Sequence, residues 1–181
     1  MATREDYEQL KAFARIDGAI TGGLWILSFA LFVAGFQQPM LSTLSVLTGI
    51  FSLVLASIRL RRFRDNILDG IISFRRAFGY SIFTYLYASL LLAAAQYIYF
   101  QFMDHGFVIS QYMAMGNLPE FKQLLQLYGI TAEEMKLAMD TLAQLRAIDI
   151  ALQFFTMNIF MGLALSLPVA SINKSSNKRI K

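Results

Sequence analysis

A chain of 181 residues, 56% hydrophobic and only 15% charged, is too apolar for an ordinary soluble domain unless its apolar residues are evenly spread, and here they are gathered into long runs. The absence of cysteine excludes disulfides, thiolate catalysis and Cys-ligated metals, and one histidine, His105, leaves little for imidazole chemistry or multi-histidine metal binding. The formal net charge of +4 comes from basic residues beside the apolar runs, which points to lipid headgroups and away from nucleic acid.

In chain order, residues 1–15 are charged but place Tyr7, Leu10 and Phe13 at helical spacing. This suits a short helix lying in the membrane interface, or equally a frayed, solvated end. A first span is expected over residues 16–36. A cleaved signal peptide is disfavoured, because the run exceeds an h-region of about 7–15 residues and is preceded by Glu5, Asp6 and Glu8. Gln37-Gln-Pro-Met40 reads as a tight turn in which Pro39 stops the first helix, so that a second span over 41–58 returns antiparallel. The segment 59–76, with six arginines, is expected as a loop. A third span over 77–102 is rich in tyrosine and alanine.

Residues 104–146 read as two or three amphipathic helices outside the membrane. Phe121, Leu124, Leu125 and Tyr128 share a helix face between Pro119 and Gly129, and Thr131-Ala-Glu-Glu134 is a capping box. Met135, Met139, Leu142 and Leu145 carry the apolar face of the helix that follows. A fourth span covers 148–172, with Pro168 near its end, and a basic tail follows. With the N-terminus inside, thirteen Lys and Arg flank the spans on the cytoplasmic side against Lys122, Lys136 and Arg146 outside, so both termini are expected in the cytoplasm.

No ionisable residue lies deep in an expected span; Asp17 and Asp149 fall at span ends, within reach of water. That pattern speaks against ion-coupled transport. Small residues recur at four-residue spacing: Gly18 and Gly22, Ser45 and Gly49, then Asn158, Gly162, Ser166 and Ala170. Such stripes allow close helix packing, either within the chain or toward a partner, for which Asn158 is the most specific anchor. Tyr85 and Tyr87, with Gln96 and Gln153, are candidates for a polar interior, while Tyr80, Tyr97 and Tyr99 suit interfacial belts. Met113, Met115, Met135 and Met139 suit adaptable packing better than a soft-metal site, and no metal or cofactor is expected. Arg59, Arg61, Arg62, Arg64, Arg75 and Arg76 are candidates for binding anionic headgroups, or a phosphorylated partner such as a lipid-linked sugar. Ser73 is placed to cap the third helix.

Phe63-Arg-Asp65, Gly70-Ile-Ile-Ser-Phe74, Ala77-Phe78, the aromatic exit from Tyr97 to Phe107 and Gly162-Leu-Ala-Leu-Ser-Leu-Pro-Val-Ala170 resemble a family of four-span bacterial inner-membrane proteins, a domain of unknown function of the DUF4199 type. The family tends to have an Asp-Pro turn where this chain has Asp104-His-Gly106. The resemblance implies an all-α, multi-pass fold in the inner membrane and brings no catalytic residues. It also suggests a polyprenyl-phosphate sugar transferase as a membrane partner. Asp104, His105 and the outer carboxylates form no recognisable acid-base arrangement, so a non-enzymatic accessory or scaffold subunit is expected, in contact with membrane lipid. The alternative is a transporter or permeability element for a lipid or small apolar solute.

Overall fold

A computed structural model describes residues 4–175 as seven helices: α1 (Arg4–Gly35), α2 (Pro39–Ile67), α3 (Phe74–Phe102), α4 (Phe107–Gly116), α5 (Pro119–Leu127), α6 (Ala132–Ala143) and α7 (Ala147–Asn173). Four of them, α1, α2, α3 and α7, are long and apolar enough to cross a membrane. The chain divides into two compact units, one built from residues up to 94 together with those from 154 onward, the other from residues 95–153.

In the first unit, α1 stops at Gly35 and α2 starts with Pro39 as its first helical residue, where the missing N–H costs nothing. Gly35 is required by the tightness of this hairpin, because a Cβ there would lie 2.8 Å from the Ser42 backbone nitrogen. Further along, Ser28 and Ser45 exchange hydroxyl-to-carbonyl bonds of 2.9 and 2.7 Å between α1 and α2. Trp25 donates its indole N–H to the Ser52 hydroxyl at 2.8 Å.

Two boundaries differ from expectation. Residues 4–15 are neither a separate short helix nor a frayed end; they are the first turns of an unbroken α1, with Leu10 and Ala14 buried against Leu60, Phe63, Ile72, Ala77 and Tyr80. The segment from Arg59 to Ile67 is not loop but the last turns of α2, because Leu60 and Phe63 fall on the buried face of the helix. The true break is residues 68–73, where Asp69 (φ 51°) and Gly70 (φ 83°) are left-handed and the Gly70 amide donates to the Arg64 carbonyl at 3.0 Å. The Ser73 hydroxyl then accepts from the Arg76 amide at 3.3 Å, as a cap for α3.

The unit is apolar outside and, beside its apolar core cluster, carries many polar side chains inside. Val46, Leu47, Ile50, Phe51, Leu90 and Phe160 are each more than half exposed, while Thr21, Ser52, Ser81, Thr84, Ser89 and Ser166 are buried. A water-soluble protein reverses this arrangement; an apolar solvent produces it. The buried hydroxyls of Thr21, Ser81, Thr84, Ser89 and Ser166 donate to carbonyls four residues back, which satisfies them without water. α3 is the most buried of the four long helices, and its polar side faces its neighbours.

In the second unit, Pro119 opens α5 and Gly129 (φ 70°) follows its end. Thr131 and Glu134 form the expected capping box, with the Thr131 amide donating to Glu134 Oε2 at 2.8 Å and the Glu134 amide to Thr131 Oγ1 at 3.2 Å. The bonds that its carboxylate accepts from the Thr131 amide and hydroxyl hold the Glu134 carboxyl below the ordinary glutamate range. Asp104 caps α4 by accepting from the amides of Gly106 and Val108 at 3.0 and 3.1 Å, and His105 (φ 47°) turns the chain beside it. At the start of α7, Asp149 accepts from both the backbone amide and the guanidinium of Arg146.

Candidate functional site

The arginine-rich end of the first unit is where the buried core cluster lies, drawn from α1, α2, α3, α7 and the turn at residues 68–73. Its six arginines divide into two groups. Arg59, Arg64 and Arg76 point into the protein and are bonded there, whereas Arg61, Arg62 and Arg75 are exposed and form no ion pair among the described residues.

Arg59 lies on the α2 face turned to α1. Its Nε is 2.6 Å from Asp17 Oδ1, and the Tyr80 hydroxyl from α3 donates to the other oxygen, Asp17 Oδ2. One carboxylate thus ties three helices together. Asp17 is 3% exposed, so the expectation that water reaches it at the span end is corrected: α1 starts a dozen residues earlier, and Tyr80 and Arg59 close over the carboxylate. Burial of a lone carboxylate would be prohibitive, but two charge-assisted bonds satisfy it.

Arg64 is more deeply enclosed, at 2% exposure. Its guanidinium donates to both carboxylate oxygens of Asp65, at 2.7 and 3.0 Å, and through Nη1 to the Asn173 carbonyl at 2.9 Å. That last bond caps the C-terminal end of α7, where carbonyls lack helical partners. The Asn173 side chain donates to the Ser57 hydroxyl and the Val169 carbonyl, both at 2.8 Å, and Ile72 and Ser175 exchange backbone bonds of 3.1 and 3.0 Å. Four contacts therefore lash the end of α7 to α2 and its following turn. Arg76, in the first turn of α3, reaches back to Asp6 at 3.2 Å and Gln9 at 3.4 Å on α1.

The small-residue stripes pack within the chain. A Cβ on Gly18 would fall 2.6 Å from Tyr87 Cβ and 2.8 Å from the Thr84 carbonyl, and one on Gly22 would lie 3.1 Å from Ala88 Cα, so both are α1–α3 contacts. Gly49 faces Ser28 on the adjoining helix and Ser45 bonds to it, while Gly162 abuts Tyr85, where an added Cβ would lie 2.7 Å from Tyr85 Cβ. Ser166 and Ala170 continue that buried face of α7, and Asn158 is half-buried on the same helix. Tyr85 is stacked on Trp25 with ring centroids 6.0 Å apart, its hydroxyl buried without a partner, and Tyr87 packs on another face of α3 beside Phe83. The gap beside Tyr85, bounded also by Ala56, Tyr80, Ser81 and Thr84, is too small for a water molecule.

Sequence reasoning found every arginine but not which would be buried. The signal for Arg64 was available in part, since Leu60, Phe63 and Ile67 continue a helical period past Arg59. Nothing local announces the Asp17–Arg59 pair, whose partners are 42 residues apart. Among known proteins, a family model described as a protein of unknown function, DUF4199, matches residues 17–175. No curated protein and no solved structure matches the chain.

Proposed function

We infer that this chain, which belongs to the DUF4199 family and is an integral membrane protein, serves as a non-enzymatic accessory subunit whose arginine-rich end docks on anionic lipid headgroups at the cytoplasmic face of the inner membrane. The observation that carries this reading is the division of the arginines. Arg59, Arg64 and Arg76 hold the helix ends rigid, and Arg61, Arg62 and Arg75 are left exposed on that rigid frame. The backbone of all three is fixed by that frame, and the planar guanidinium fork of each suits bidentate bonds to phosphate oxygens. At about 1 kcal/mol per basic side chain near an anionic surface, three of them favour an anionic over a neutral headgroup by about 3 kcal/mol, roughly a hundredfold.

The packing supports a static role for the spans. Glycine stripes are filled by Tyr85, Tyr87 and Ala88, and the Ser81, Thr84 and Ser89 hydroxyls on α3 bond back to their own helix, while the Tyr85 hydroxyl and the Gln96 side-chain oxygen are left buried on it without a partner among the described residues. A subunit of this kind would present its outer apolar faces and its arginine platform to a larger membrane enzyme that handles phosphorylated lipids, of which a polyprenyl-phosphate sugar transferase is one. The test is to purify the protein in native lipid and identify what accompanies it. Retained anionic lipid that is lost when Arg61, Arg62 and Arg75 are all changed to Gln supports the reading, and unchanged retention overturns it.

A further inference from the structure

Within the second unit, α4, α5 and α6 enclose an open cleft of about 840 Å3 that has no part in the arginine site. Its size is that of a small-molecule site, about 300–1,000 Å3. Tyr112, Leu125, Met135 and Met139 are half-buried along its inner surface, with Met113 beside them. Lys122 from α5 and Lys136 from α6 line its exposed margin, and neither forms an ion pair among the described residues. Asp140, one turn beyond Lys136, is the acidic group of the lining and leaves the cleft with a single excess positive charge.

We propose that this cleft binds a single-chain amphiphile with a monoanionic head, such as a fatty acid or a lysophospholipid, its chain lying on the methionines and its head on Lys122 and Lys136. Unbranched thioether side chains adapt to a flexible alkyl chain better than branched residues do, since they repack without strain. The lysines supply the complementary charge at the margin, where a head group stays hydrated while its chain is buried. Asp140 disfavours a dianionic head and tolerates one that carries an ammonium group. The supply is at hand, because this segment is joined at both ends to membrane-crossing helices.

The experiment uses the full chain in nanodiscs of zwitterionic lipid with a photoactivatable palmitate as the probe, followed by mapping of the labelled peptides. Saturable labelling of the α4 and α6 peptides is expected, with unlabelled palmitate competing and palmityl alcohol competing far less. Changing both Lys122 and Lys136 to Gln should weaken palmitate binding roughly tenfold and leave competition by the alcohol unchanged. Leu137→Gln, on the exposed outer side of α6 at 69% exposure, should label like the parent. Labelling confined to the long apolar helices, labelling that excess palmitate does not reduce, an unchanged affinity in the double lysine variant, or a second copy or peptide found seated on α4 and α6 would each overturn the proposal. A lysophospholipid that displaces the palmitate probe identifies the membrane's own lipid as the source, and failure to displace points to free fatty acid.

Discussion

Replacing Arg64 with Ala removes the most deeply buried cation among the described residues, and its cost can be worked from the contacts. The Asn173 carbonyl lies in a residue of 0% exposure and would lose its Nη1 donor, at about 1–3 kcal/mol for an orphaned buried acceptor. The pair with Asp65 contributes less, about 0.5–1 kcal/mol, because the Asp65 side chain is 35% exposed and rehydrates when the guanidinium is gone. Loss of the packed aliphatic stem adds about 1 kcal/mol, for a total of about 2.5–5 kcal/mol. Arg64→Met should recover the stem's share. Trp25, the chain's single tryptophan, is stacked on Tyr85 and bonded to Ser52, so its emission reports the packing of α1, α2 and α3 during unfolding in mixed micelles. Arg61→Ala, at an exposed position on the same turns of α2 between Arg59 and Arg64, should change stability by no more than about 0.5 kcal/mol. If Arg64→Ala unfolds at the same denaturant concentration as the parent, or no earlier than Arg61→Ala, the assignment of Arg64 to the internal frame is refuted.

Asp17→Asn should destabilise by about 1–3 kcal/mol, and adding Arg59→Met should cost less than the sum of the two single changes; strict additivity in the double-mutant cycle would show that the pair is not coupled. Gly18→Ala places a methyl group against Tyr87 and the Thr84 carbonyl and should cost about 1–3 kcal/mol, whereas Gly23→Ala, with open space around its Cβ, should be neutral or stabilise by up to about 1 kcal/mol. Equal effects in the same unfolding assay would contradict the α1–α3 contact. Thr131→Ala should cost α6 about 1 kcal/mol, seen as faster amide exchange in its first turn. Because the Glu134 carboxyl is held below its ordinary value, its share of that cap is complete above the ordinary glutamate range and disappears as pH falls through the lowered value. Exchange in α6, corrected for its intrinsic pH dependence, should therefore rise on acidification in the parent and not in Glu134→Gln.

The spans and the short helices between the third and fourth of them were legible because their signals are local. Long apolar runs, Pro39 between two of them, Pro119 and Gly129 around α5, and the spacing of Thr131 and Glu134 each act within a turn or two of chain. The arginine segment misled because a cluster of like charges reads as solvated loop, yet Leu60 and Phe63 hold it helical through burial against α1, α3 and α7. Asp17 looked like an end-of-span carboxylate for the same reason; its partners, Arg59 and Tyr80, arrive from other helices and leave no trace in local spacing. The small-residue stripes were legible as stripes, but which helix fills each one is decided only by the three-dimensional packing that sets Tyr87 against Gly18 and Tyr85 against Gly162.

The central claim is that one arginine-rich segment performs two separable tasks, and two triple variants test it side by side. Stability and the affinity for anionic over neutral lipid are measured by native mass spectrometry and Trp25 unfolding on each. Changing Arg61, Arg62 and Arg75 to Gln should lower anionic-lipid affinity roughly a hundredfold with stability kept, while changing Arg59, Arg64 and Arg76 to Gln should unfold the helix ends. Loss of lipid affinity and stability together in both variants, or unchanged lipid affinity in the first, would contradict the account.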